Sequence, residues 1–145
     1  MNTTHIHPFI VHFSISLVVV GAVLDFYSII IKGESWPKAK GFQIMIFAAF
    51  AIFFSWFSGE FFSRSYDGLG REVKNLHEVF AVLSYVFFGI ALLIRFFAIY
   101  KKDSSSLLKY IFMIFLALAV IAILYCGYLG GVLVYDLQND LRPVQ

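Results

Sequence analysis

The side chains best equipped for chemistry in this chain are its histidines. Three of the four, His5, His7 and His12, lie within eight residues, and the fourth, His77, stands alone. The cluster sits where a polar start, Met1-Asn2-Thr3-Thr4, gives way to a long apolar run. Ionisable groups are costly in such a setting and mark functional sites there. Neutral imidazole is a ligand for haem iron and for zinc, copper or iron ions. Spacing divides the cluster. His7 and His12 are five residues apart, about 140° around a helix, so a regular helix cannot aim both at one iron. His5 precedes Pro8, which suits a first helical turn because its missing N–H is not needed there, so His5 is expected outside the helix. His12 then lies about one turn inside and points inward, with His7 at the boundary.

A site built from these residues needs a partner for His12, and the chain's composition says how one arrives. Of 145 residues, 61% are hydrophobic and 14% charged, with mean hydropathy +0.85. Soluble domains are about 45–50% apolar and about 25% charged, so this is an integral membrane protein. The first apolar run, from residue 6 to Ile31, has no basic residue before it and no small-residue cleavage site. It is longer than the roughly 7–15-residue core of a signal peptide and is expected to be a retained transmembrane helix.

Hydropathy predicts spans over 8–31, 41–62, 76–100 and 107–135, each long enough for a hydrocarbon core of about 30 Å. The connections 32–40, 63–75 and 101–106 are short and polar, so neighbouring helices run antiparallel. The expected fold is all-α: a single integral membrane domain over 1–145, a four-helix up-down-up-down bundle. Gly130-Gly131 is where the long last helix is expected to bend, and no internal sequence repeat stands out. Lys32, Lys38, Lys40, Arg95, Lys101, Lys102 and Lys109 fall on one side, against Arg64, Arg71, Lys74 and Arg142 on the other. The positive-inside rule places the first group in the cytoplasm and both termini outside.

This topology gathers distant residues into one outer layer. The first helix begins there with His7 and His12, the second ends at Gly59-Glu60, the third begins at His77-Glu78, and the fourth ends with Gly127, Gly130 and Gly131. Histidines at similar depth on facing bundle helices can hold one haem from its two sides. The expected axial ligands are His12 and His77, with His7 beside them. Gly127 and Gly131 would let a macrocycle approach the backbone, and Phe9, Phe13, Phe57, Phe80 and Tyr128 would line the slot. No histidine lies near the other side, so one haem is the upper bound. Two other readings remain open: a metal ion held by histidines with Glu60 or Glu78, and a hydrogen-bonded cluster that only fixes packing. Gly127 and Gly131 also have an alternative role as a helix-packing surface.

Asp25, late in the first span, and Arg95, late in the third, fall at the opposite level and are expected to form an intramembrane ion pair; the alternative makes Asp25 part of a proton or quinone path. The single Cys126 permits no intrachain disulfide, and no CxxCH motif is present for covalent haem. The chain has no catalytic triad or activated nucleophile, no nucleotide loop and no nucleic-acid-binding patch.

His7-Pro8-Phe9-Ile10-Val11-His12-Phe13 resembles a family of small bacterial membrane proteins carrying a domain of unknown function. Their first helix opens on His-Pro-x-x-Val-His-Phe-Pro. Asp25, Gly59, His77 and the Gly127–Tyr135 ending, close to the family's Gly-Gly-x-Leu-Val-Tyr, agree over nearly the whole chain, while Ser14 stands where the family has Pro. The resemblance implies a four-helix domain with a shared histidine site in a bacterial inner membrane. The architecture is also similar to bis-histidine cytochromes of the b561 type. The function expected from these readings is an electron-transfer subunit rather than an enzyme by itself. It would bind one haem b non-covalently and pass electrons between a membrane donor such as a quinol and an extracytoplasmic redox protein. With such short loops it is expected to act as a homo-oligomer or within a larger complex.

Overall fold

A computed structural model describes residues 6–33, 35–62 and 65–137. It is all-helical, with no strand among the described residues. Four helices make the bundle: α1 (Ile6–Phe26), α2 (Gly41–Phe62), α3 (Gly68–Lys101) and α4 (Ser106–Tyr135). All four are long and apolar enough to cross a membrane. His5 lies outside the described residues, as do Arg64 and Arg142.

The helix ends differ from those read from hydropathy where polar residues are helical. α3 starts at Gly68, about two turns before the apolar stretch begins. Asp67 precedes it with extended backbone, and Lys74 pairs with Glu78 one turn on, at 3.6 Å. Hydropathy marks where lipid begins, whereas a helix continues wherever its backbone bonds and side-chain pairs allow. α1 ends in a π-helical turn, Tyr27–Ile31. Ser28 and Ile29 in that turn are buried. α4 runs through Gly130-Gly131 without a break.

α1 packs along α2 and α3 along α4, forming two hairpins; α1 also meets α4, while α2 and α3 hardly touch. The inside is made of small and medium residues such as Val18, Met45, Ala48, Ala91, Leu116 and Ala119. It also holds the hydroxyls of Ser14, Ser55, Ser58 and Ser84. Many large apolar residues face outward, including Phe47, Phe50, Phe53 and Phe54 on α2, while Trp36, Phe88 and Phe112 are buried. An apolar outside over a small-residue and hydroxyl-bearing inside is how membrane helices pack, since lipid solvates large apolar groups as well as a core does.

One end of the bundle is locked by Arg95. Its Nη1 donates to Asp25 Oδ2 at 2.6 Å and its Nη2 to the Ala39 carbonyl at 2.7 Å, and Nε donates to the Pro37 carbonyl at 3.3 Å. The guanidinium also lies over the rings of Phe42 and Phe112. Asp25 and Arg95 are both fully buried. A buried charge persists only when paired and hydrogen-bonded, and this arginine meets both conditions. It thereby fastens the α1–α2 connection to the second hairpin. At the other end the Tyr66 hydroxyl donates to the Leu133 carbonyl at 3.2 Å.

Candidate functional site

The histidine end of the bundle encloses a cavity of about 260 Å³. It is lined from α1 by His7 and Ser14, from α2 by Ser55, from α3 by His77 and Tyr85, and from α4 by Cys126. It opens between α2 and α3, where exposed Trp56 and Glu60 face exposed Glu78 and Val82.

The histidine brought to His77 is His7, not His12. His12 is exposed on the far face of α1, with its ring turned back to the Pro8 carbonyl at 2.6 Å. The expected pairing of His12 with His77 across one site is therefore not formed. The helix begins at Ile6, so His7 lies in its first turn rather than before it. The 140° between the two positions then assigns them to opposite faces. Counting back from buried Asp25 in steps of three and four reaches Val18, Ser14, Val11 and His7. That inward stripe could have been found from the sequence once Asp25 was taken as buried.

The hydrogen bonds around the two rings favour a proton on Nδ1 of each. Ser58 Oγ donates its only proton to the Ser55 carbonyl at 2.9 Å. The 2.9 Å contact between His7 Nδ1 and Ser58 Oγ therefore has Nδ1–H as donor. His77 Nδ1 lies 2.9 Å from the Cys126 carbonyl, an acceptor only, so Nδ1 carries the proton there too. With Nδ1 protonated, each imidazole keeps its lone pair on Nε2, that of His77 lying 3.8 Å from Cys126 Sγ. A ring held by an Nδ1–H bond to an oxygen acceptor is the usual arrangement of a histidine that ligates metal through Nε2.

Glycines back both rings. A Cβ at Gly59 would lie 3.1 Å from His7 Cε1, and one at Gly130 would lie 3.4 Å from His77 Cε1. The glycines expected to face a cofactor do other things. A Cβ at Gly127 would stand 2.8 Å from Ile15 Cδ1, so this residue lets α4 approach α1, and nothing lies within 4 Å of the position at Gly131. Phe9, Phe13, Phe57 and Tyr128 are exposed on the outer surface rather than lining a slot, and Phe80 packs edge-on against Tyr125. Below the histidines the cavity floor is polar: Ser14 Oγ and Ser55 Oγ are 3.1 Å apart, with Ser84 and Tyr85 opposite. Ser14, Ser84 and Tyr85 fall on the inward stripes seven or eight residues beyond His7 and His77, and Ser55 stands on α2 four residues before Gly59. Among the described residues no three His, Cys, Asp or Glu side chains come together in a way that could hold a metal ion.

Residues 3–141 match the model of a family described as "Predicted membrane protein (DUF2231)". No curated protein and no solved structure matches the chain.

Proposed function

The chain belongs to the DUF2231 family of predicted membrane proteins, and on that premise we propose that it is a b-type cytochrome-like electron-transfer subunit with one haem held by His7 and His77. The observation that carries this reading is the pair of imidazoles. They come from different hairpins, line one cavity, and each has its Nδ1 engaged by a hydrogen bond to an oxygen, with Cys126 Sγ 3.8 Å from His77 Nε2. Haem brings four nitrogens of its own, so two protein ligands complete its iron. A free metal ion usually takes three or more protein ligands, which makes a two-histidine site a better match to haem. The cavity is somewhat smaller than the usual cofactor pocket of roughly 300–1,000 Å³; its open side between α2 and α3 gives a macrocycle room. When bound, the haem supplies one-electron transfer. The protein's part is to hold both rings, exclude water with Ile15, Ile52 and Ile123, and offer polar groups at the floor and mouth.

In this proposal the histidine end faces the outside of a bacterial inner membrane. Electrons pass from a lipid-soluble donor such as a quinol to an extracytoplasmic redox protein, within an oligomer or larger complex. The test is the reduced-minus-oxidised absorption spectrum of protein purified with haem supplied. The expected result is a low-spin bis-histidine α-band with one haem per chain. Protein that carries no haem but one zinc or copper per chain overturns the proposal in favour of a metal-ion site.

A further inference from the structure

The second hairpin repeats the first. A step of 70 residues carries His7 onto His77, Ser14 onto Ser84 and Asp25 onto Arg95. Ser14, Val18, Gly21, Asp25 and Ser28 are buried, and so is each counterpart in α3, whereas buried Ala22 and Ile29 fall on half-buried Leu92 and exposed Ile99. A step of 71 lays α2 on α4. Every buried residue of α2 between Gly41 and Ser58 then falls on a buried residue of α4 between Phe112 and Leu129. Stripes with heptad spacing coincide at any multiple of seven, so burial alone leaves the register open. The side chains close it. The two cavity histidines coincide, and so do the two glycines behind their rings, Gly59 and Gly130. Ser55 coincides with Cys126, whose carbonyl accepts from His77.

α1 and α3 run in the same direction, as an approximate two-fold axis along the bundle between the copies requires. Residues related by such an axis can meet only beside it. They meet at both ends: Asp25 and Arg95 at 2.6 Å, and His7 and His77 around one cavity. The opposite charges at the equivalent positions 25 and 95 make the halves complementary, where two identical halves would have set like charges together. The symmetry is broken on one side, where α1 packs on α4 but α2 stands off α3 and the cavity opens.

We infer that the chain is one helical hairpin duplicated, with its ligand site on the two-fold axis between the copies. The ligand is then a flat group that meets an equivalent imidazole, backed by an equivalent glycine, on each of its two faces. The nature of that ligand rests on the haem reading; the duplication does not.

Two measurements on the full chain test it. Spin labels at Val23 and Phe47, and in a second variant at the counterparts Leu93 and Leu118, each with Cys126→Ala, are expected to give matching mean distances. A mismatch approaching the roughly 10 Å of a seven-residue slip overturns the duplication. In haem-loaded protein, Gly59→Ala and Gly130→Ala are each expected to lower the low-spin fraction and to move the reduction potential in the same direction. An effect from one alone overturns the axial placement while leaving haem binding intact. A wild-type chain that takes up no haem removes both the haem reading and the two-faced ligand, and the label distances still decide the duplication.

Discussion

His7 and His12 differ by five positions, yet one faces the cavity and the other the outer surface. In haem-loaded protein, His7→Ala and His77→Ala are each expected to abolish the low-spin spectrum, while His12→Ala leaves it unchanged. Loss of the spectrum in the His12 variant would return the ligand to that residue. Arg95 makes a second residue-scale claim. Removing it as Arg95→Met leaves Asp25 buried without its partner and frees the Pro37 and Ala39 carbonyls, a loss of about 3–5 kcal/mol for a buried pair broken on one side. Asp25→Asn should cost less, because the amide oxygen can still accept from Nη1 and Arg95 keeps both carbonyls. Thermal unfolding in detergent measures both, and equal losses would show that the arginine acts through the carboxylate alone.

Helices approach each other here through glycines, but the neighbours of those glycines differ in how far they can yield. A Cβ at Gly41 would collide with the Gly21 carbonyl and the Asp25 carboxylate, both held in place. At Gly127 it would meet the tip of a flexible isoleucine. Gly41→Ala is therefore expected to destabilise the α1–α2 hairpin by about 1–3 kcal/mol, the usual range for overpacking, and Gly127→Ala by clearly less. Melting temperatures of the two variants that fall in the opposite order would contradict this account. The same reasoning explains why hydropathy located the spans but not the start of α3. Its first two turns carry Arg71, Glu72 and Lys74 among their residues, and the Lys74–Glu78 pair joins them to the apolar part of the helix.

At the scale of the whole molecule, the proposed orientation rests on charge. The end opposite the histidines carries Lys32, Lys38, Lys40, Lys101, Lys102 and Lys109 on its surface, after Arg95 is set aside as buried. A cysteine placed at Glu72 should react with an impermeant thiol reagent added outside intact cells, and one at Lys102 only after the membrane is opened. The reverse pattern inverts the topology. The number of helices, their antiparallel order, the level of Asp25 with Arg95 and the level of His7 with His77 could all be read from the sequence. Each depends only on hydropathy and connection length, which are properties of the chain taken locally. The sequence by itself did not decide which histidine faces His77, which glycines back the histidine rings, or that the second hairpin repeats the first. Those depend on helix phase, since each residue turns the face by about 100°, and phase is set by what packs opposite. Apart from a few polar residues the two hairpins share only a register of buried positions, and that register becomes visible once tertiary packing separates the inside of each helix from its lipid-facing side.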